Sequence, residues 1–173
     1  MRNYILIGHS AGATLCFQIL GSGTPCTKLF PKAVIGLAGI YDLRDLVEEY
    51  PDYRGFVEGA FGVASKEVEV YSGKLHPWDY VSPAKDPVCK SYKRFIEDKH
   101  KIVLVQSTMD ELLSVKQTGL MGRLLVERFA TEGVLETVIG YFDRHVEMLT
   151  DSKVWEVIER VIGEVGEALN VIR

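Results

Sequence analysis

The chain has 173 residues, of which 47% are hydrophobic, and its formal net charge is -4 with the basic residues spread along the sequence. These values are typical of a soluble globular protein, so we expect residues 1–173 to form a single cytoplasmic domain. The sequence contains no basic cluster and no apolar run of bilayer length, which argues against nucleic acid and membranes as partners.

The first predicted strand, Tyr4–Ile7, leads directly into the pentapeptide Gly-His-Ser-Ala-Gly at residues 8–12. Its continuous apolar character predicts a strand buried on both faces, and a helix is predicted over Ala11–Leu20. A GxSxG sequence between a strand and a helix is typical of a nucleophile elbow, a sharp turn that exposes a serine hydroxyl. Ser10 is therefore a candidate nucleophile, and N-capping of the helix is its alternative role.

The backbone of this turn has its own requirements. We expect that a side chain at Gly8 or Gly12 would collide with the adjoining strand or helix. The main-chain N–H of Ala11, which follows the candidate nucleophile, is expected to supply one half of an oxyanion hole.

Further strands are predicted at three continuously apolar or mostly apolar segments, Ala33–Leu37, Ile102–Val105 and Val134–Phe142. Helices are predicted over Val115–Ala130 and from Lys153 onwards. The closing helix carries apolar residues at helical spacing, namely Val154, Ile158, Val161, Ile162, Val165 and Leu169. Strands that alternate with helices predict an α/β fold with a parallel sheet.

A long aromatic-rich segment, from Gly39 to about Asp98, separates the second and third strands. Asp42 is placed to cap a short helix, and proline residues divide the remainder into pieces. We interpret residues 39–98 as a cap-like insertion over the strand ends that shapes a pocket.

Acyl transfer by serine needs a base that removes the hydroxyl proton and a carboxylate that orients the base. In nucleophile-elbow hydrolases these groups follow in the order Ser, Asp or Glu, His. Here Asp110 follows the third strand and His145 follows the fourth, so Ser10, Asp110 and His145 are the predicted catalytic residues. Glu111 and Asp143 remain alternatives for the acid.

The other histidines are not predicted to act in the reaction. His9 lies inside the elbow, where its side chain is expected to point away from the nucleophile, and His76 and His100 are predicted on polar loops.

The cysteines Cys16, Cys26 and Cys89 form no CxxC pair and have no histidine at zinc-site spacing. We therefore expect free thiols and no metal. Cys16 is predicted to be a small buried residue of the first helix.

The sequence resembles the fungal kynurenine formamidases, which are α/β-hydrolases. The resemblance includes GHSAGAT around Ser10, GIYDLRDLVEEYPDY at 39–53, STMDELLSVKQT at 107–118, and His145 after the last strand. It implies hydrolysis of N-formyl-L-kynurenine to L-kynurenine and formate, in tryptophan breakdown towards NAD, without a metal or cofactor. The family triad corresponds to Ser10, Asp110 and His145.

The resemblance also implies a small-molecule substrate as the main partner, with a homodimer left open. Tyr41, directly after the second strand, is a candidate wall of the substrate pocket, and core packing is its alternative role.

One departure from the family pattern affects the expected architecture. Family members carry earlier strands and an HGG-type sequence that completes the oxyanion hole, whereas no HGG occurs here and Met1 stands three residues before the elbow strand. We expect the C-terminal portion of an α/β-hydrolase, with the elbow strand at a sheet edge. A carboxylesterase for small esters and a catalytically impaired remnant are alternative functions.

Overall fold

The computed structural model describes residues 4–21, 30–63, 76–85, 88 and 92–170. Four strands form a parallel sheet in the order β1-β2-β3-β4, with β1 at Ile5–His9, β2 at Ala33–Leu37, β3 at Lys101–Ser107 and β4 at Leu135–Gly140. The predicted α/β fold with a parallel sheet is confirmed. All four strands end at the same edge of the sheet, which is where parallel α/β proteins place their functional groups.

Within the described residues, six helices connect and cover the strands. They are α1 (Ala11–Gly21), α2 (Leu43–Glu49), α3 (Arg54–Phe61), α4 (Tyr92–Glu97), α5 (Val115–Arg128) and α6 (Ser152–Asn170). Short 3-10 turns occupy Pro51–Tyr53, Pro77–Tyr80 and Glu147–Thr150.

Alternate residues of the central strands enter two separate cores. On β2, Val34 packs into the core shared with α1, α4 and α5, whereas Ile35 packs into the core shared with α6. Ile102 and Val103 divide in the same way on β3. Successive side chains point to opposite faces of a strand, so a continuously apolar sequence is what a sheet covered on both faces requires.

The first strand departs from the prediction that it is buried on both faces. Ile7 is 44% exposed, and Leu6 is only partly buried against the α1 side. β1 lies at the edge of the described sheet and pairs with β2 alone, so fewer elements cover its faces.

The described residues between β2 and β3 pack in two different places. Leu46, Val57, Trp78 and Leu113 form a small apolar cluster that joins α2, α3 and the loop after β3. By contrast, α4 packs on the sheet with α1, so this part of the predicted insertion does not lie over the strand ends. Residues 64–75, 86–87 and 89–91 lie outside the described residues.

The predicted cap at Asp42 is confirmed. Its Oδ1 accepts hydrogen bonds from the main-chain N–H groups of Arg44 and Asp45, at 3.1 and 3.2 Å, at the start of α2. Such a cap satisfies helix N–H groups that have no partner within the helix.

The buried stripe of the closing helix is confirmed at Val154, Ile158 and Val161. The prediction that Ile162 is a core residue is wrong, because its side chain is 50% exposed. Ile162 follows Val161 by one position, and therefore points about 100° away around the helix. The side chain of Leu169 lies outside the described residues.

Cys16 is buried on α1 as a free thiol, in agreement with the prediction. Cys26 and Cys89 lie outside the described residues.

Candidate active site

The turn between β1 and α1 holds Ser10 in an unusual backbone conformation. Its φ is +54°, and its main-chain N–H donates a 2.9 Å hydrogen bond to the carbonyl oxygen of Leu37 at the end of β2. A non-glycine residue with positive φ costs on the order of 1–3 kcal/mol, which the surrounding structure must supply. This is the backbone geometry expected of a nucleophile elbow.

Only one of the two elbow glycines is required by close contact. A Cβ atom at Gly8 would lie 2.3 Å from the carbonyl oxygen of Gly12, which confirms the prediction for Gly8. The same prediction is wrong for Gly12, where a Cβ atom would meet no described atom within 4 Å. Gly12 lies on the first turn of α1, and its Cβ position faces open space.

Ala11 begins α1 and is exposed at the turn. The first N–H groups of a helix have no carbonyl partner within it. The N–H of Ala11 therefore lies at the start of the helix that follows Ser10, as an oxyanion donor would.

Asp110 and His145 come together although 35 residues separate them. Oδ2 of Asp110 lies 2.7 Å from Nδ1 of His145, and their side chains are 0% and 6% exposed. Oδ1 of Asp110 accepts 2.9 Å hydrogen bonds from the N–H groups of Leu112 and Leu113. Burial raises the pKa of Asp110, but the hydrogen bonds from His145, Leu113 and Leu112 outweigh it and lower the pKa overall.

The two alternative acids have other contacts. Oε2 of Glu111 accepts a 3.0 Å hydrogen bond from the main-chain N–H of His145, and Oε1 lies 3.3 Å from Nη2 of Arg144. Asp143 is exposed, has a φ of +70°, and accepts a hydrogen bond from the N–H of Arg144. Of the three predicted acids, Asp110 is the one that contacts the imidazole ring in the described structure.

Gln106 is a residue of the site that the sequence analysis did not identify. It is fully buried on β3, and its Nε2 donates a 2.9 Å hydrogen bond to Oδ2 of Asp110. Its Oε1 accepts a 3.3 Å hydrogen bond from the hydroxyl of Thr118 on α5. The sequence feature that could have indicated this role is a single amide side chain near the end of a mostly apolar strand.

Ser107 was also missed, and it joins the two loops. Its hydroxyl donates to the carbonyl oxygen of Asp143 and accepts from the N–H groups of Met109 and Phe142. The loop after β3 and the loop after β4 are thus fixed to each other next to the Asp110–His145 pair.

His9 makes a contact that the sequence analysis did not predict. Its Nε2 lies 2.9 Å from the carbonyl oxygen of His145, and the two ring centroids are 4.5 Å apart. The loop after β4 crosses the strand ends to reach β1, and this crossing could not be read from the sequence. Burial and the neighbouring His145 together lower the pKa of His9.

The remaining histidines lie elsewhere. His76 is buried rather than on an exposed polar loop, since it packs against Trp78 and accepts that residue's N–H. His100 is half-buried before β3 and packs against Phe30 and Phe95.

Tyr41 is fully buried and packs edge-on against Phe17, with ring centroids 5.5 Å apart. Its hydroxyl has no hydrogen-bond partner among the described residues. This placement favours the core-packing role that was the alternative for Tyr41 in the sequence analysis.

Within the described ranges, every helix is too short or too polar to span a bilayer. No group of three or more His, Cys, Asp or Glu side chains there is placed to hold a metal ion.

Sequence comparisons identify fungal relatives of this chain. It is 37% identical over 171 residues to the kynurenine formamidase of Meyerozyma guilliermondii, an alignment that covers 94% of this chain and 59% of that protein. It is 33% identical over 132 residues to the kynurenine formamidase of Saccharomyces cerevisiae. That alignment covers 69% of this chain and 46% of that protein. The chain therefore spans about half the length of the curated relatives it matches. No family model matches it.

Solved structures with the same fold are more distant in sequence. A truncated carbohydrate esterase from gut microbiota matches with a TM-score of 0.61 at 13% identity, over 94% of this chain and 59% of that one. An acetyl ester-xyloside bifunctional hydrolase from Caldicellulosiruptor lactoaceticus matches with a TM-score of 0.56 at 16% identity, over 95% and 55%. Identities this low show a shared fold and nothing more specific.

Proposed function

We propose that this chain, a homologue of the fungal kynurenine formamidases with an α/β-hydrolase fold, is a serine hydrolase that acts on N-formyl-L-kynurenine. The products would be L-kynurenine and formate. The observation that carries the proposal is the buried 2.7 Å contact between Asp110 and His145, at the sheet edge where the elbow presents Ser10.

The first chemical step is attack of Ser10 Oγ on the formamide carbonyl carbon. Nδ1 of His145 is bonded to Asp110, so Nε2 is the ring nitrogen left to take the hydroxyl proton. The tetrahedral oxyanion that forms would accept a hydrogen bond from the N–H of Ala11.

The second step expels the aryl amine. His145 returns its proton to the amine nitrogen as the carbon–nitrogen bond breaks, which leaves a formyl ester on Ser10. Water then attacks this ester with His145 again as base. The bond between the formyl carbon and Oγ breaks, His145 returns the proton to Ser10 Oγ, and formate leaves. Asp110 keeps the imidazole in the required tautomer and stabilises the imidazolium that forms in both steps.

Two features support this assignment beyond the contact itself. The acid keeps a lowered pKa, so Asp110 is ionised at neutral pH as the mechanism requires. Gln106, Leu112 and Leu113 supply further donors to the same carboxylate, which fixes its orientation towards His145.

The test is formation of L-kynurenine from N-formyl-L-kynurenine, followed by absorbance, with the purified chain and its Ser10→Ala variant. Turnover that the substitution abolishes supports the proposal. A folded chain without turnover contradicts it for this chain.

Two further measurements separate the alternatives. Faster cleavage of a small aryl ester than of the formamide would identify a carboxylesterase instead. Absence of covalent labelling of Ser10 by a fluorophosphonate probe, together with absence of turnover, would identify an impaired remnant.

A further inference from the structure

We propose that His9 is a positioning residue, which fixes the loop of the base His145 relative to the nucleophile Ser10. This inference rests on the proposed function.

The contact between the two histidines involves both hydrogen bonding and packing. Nε2 of His9 lies 2.9 Å from the main-chain carbonyl oxygen of His145, and only an N–H can donate to that oxygen. His9 therefore carries its proton on Nε2. The rings also pack at 4.5 Å with an interplanar angle of 45°, so His9 limits both the main chain and the ring of His145.

This contact spans the width of the described sheet. His9 ends β1 and His145 follows β4, at the opposite edge of the four-stranded order. Strands in a sheet are about 4.8 Å apart, so the two strands are separated by roughly 14 Å. On the β3 side, the loop that carries His145 is held by Ser107, Asp110 and Glu111. Among the described contacts, His9 holds the same loop at its β1 end.

His9 directly precedes Ser10 in the chain, so its contact with His145 also affects the position of the nucleophile. The residue that holds the base is one peptide bond from the nucleophile, so movement of either is passed to the other. A misplacement of reacting groups by about 1 Å can reduce a rate by about 100-fold.

The charge of His9 affects the reaction because the ring of His9 lies next to the ring of His145. The titratable groups that face it are His145 and Asp110, and burial together with His145 lowers the pKa of His9. A neutral His9 leaves His145 free to become an imidazolium in the transition state. A proton on His9 would place a second positive charge beside that ring and oppose the reaction.

Three substitutions test the hydrogen bond. In His9→Ala the donor is lost, and we expect kcat to fall by about 10- to 100-fold with KM little changed, because His9 acts through His145. In His9→Gln the amide nitrogen occupies the place of Nε2, and we expect most of kcat to return. In His9→Asn the amide nitrogen lies at the place of Nδ1 and does not reach the carbonyl oxygen of His145, so kcat should stay low.

The control is His100→Gln, which replaces a half-buried histidine at the other end of the strands and should keep the wild-type kcat. The loss of kcat/KM on the acid side of the pH profile should be less steep in His9→Gln than in the wild type, because the variant lacks the His9 imidazole and its proton uptake. The inference would be overturned if all three His9 variants kept the wild-type kcat. It would also be overturned if His9→Gln and His9→Asn lost kcat equally while both were as stable as the wild type.

A second readout needs no turnover. Titration of the imidazole nitrogens by NMR should show His9 as the Nε2–H tautomer, and His145→Gln should raise the pKa of His9 towards its usual value. An unchanged His9 titration in that variant contradicts the inference. Absence of turnover with a changed titration would reject the proposed function alone.

Discussion

The carboxylate of Glu111 accepts a 3.0 Å hydrogen bond from the main-chain N–H of His145, whereas the neighbouring Asp110 bonds the ring of the same histidine. Two consecutive acids thus hold one residue by two different groups. The ring contact sets the tautomer, and the main-chain contact sets where the loop lies.

Glu111→Ala is expected to lower kcat by about 10-fold, because a hydrogen bond to a charged group contributes about 1.5–3 kcal/mol and its loss frees the His145 loop. Glu111→Gln keeps an acceptor for the N–H and should retain most activity. The control is Arg144→Ala, which removes only the exposed ion pair with Glu111 and should change kcat little. Steady-state kinetics on N-formyl-L-kynurenine measure all three, and equal activity in Glu111→Ala and the wild type would contradict the prediction.

Gln106→Leu should reduce kcat more than Thr118→Val does. The first substitution removes a donor to the Asp110 carboxylate and the acceptor of the Thr118 hydroxyl, both in a fully buried site. The second removes only the hydroxyl that orients the amide. We expect losses of about 10-fold and about 2- to 3-fold, since direct hydrogen bonds to a charged group exceed neutral ones. The reverse order of kcat values would show that Gln106 does not orient the acid.

The elbow offers a matched pair of glycines for a stability test. Gly8→Ala places a Cβ atom 2.3 Å from a main-chain oxygen that cannot move without distorting α1, and overpacking of this kind costs about 1–3 kcal/mol or more. Gly12→Ala meets no described atom and should be neutral or stabilise the helix by up to about 1 kcal/mol. Thermal unfolding of both variants decides the matter. A lower melting temperature for the Gly12 variant than for the Gly8 variant would contradict the prediction.

The order of strands and helices could be predicted because each apolar run has to enter a core. Segments such as Ala33–Leu37 and Ile102–Val105 are apolar at every position, which only a doubly covered strand requires. The proximity of Asp110 and His145 followed from the same reasoning, since both come after parallel strands that end at one edge.

Contacts that depend on loop paths could not be predicted. The approach of His9 to His145 requires the last loop to cross the sheet, and no sequence pattern encodes that path. Gln106 was missed for a different reason, because a lone amide in a strand carries no motif. The exposure of Ile7 depends on what covers β1, which is a property of the tertiary structure.

Gln117 on α5 is expected to be one of the most sensitive positions for stability. Its Oε1 accepts from the N–H groups of Tyr41 and Asp42, both at 2.8 Å, and its Nε2 donates to the carbonyl oxygen of Asp42 and to Oδ2 of Asp45. The side chain is fully buried, so Gln117→Leu would leave buried polar groups unpaired at about 1–3 kcal/mol each.

We therefore expect Gln117→Leu to lower the free energy of unfolding by roughly 3 kcal/mol or more. The neighbouring Lys116→Ala serves as control, since it removes a half-exposed ion pair with Asp45, which is worth about 0–1 kcal/mol. Urea unfolding measures both. Similar values for the two variants would show that the buried amide does not hold the segment after β2 to α5.

The lowered pKa of Asp110 predicts how stability depends on pH. Burial alone raises this pKa, but the ring of His145 and the N–H groups of Leu113 and Leu112 stabilise the charged form more strongly. A carboxyl with a lowered pKa in the folded state contributes stability that is complete above the unfolded pKa, about 3.9. That contribution is lost as the pH falls from about 4 through the folded-state value.

Asp110→Asn removes this titration, so its unfolding free energy should decline less than that of the wild type between pH 6 and pH 3. The comparison uses the difference between the two pH values within each protein, because the substitution also changes stability at neutral pH. Asp52→Asn, at an exposed position of the Pro51–Tyr53 turn, should keep the wild-type dependence. Urea unfolding across this pH range provides the measurement. If the free energy of unfolding changed with pH in the same way in the wild type and in Asp110→Asn, the fold would not hold Asp110 in its charged form.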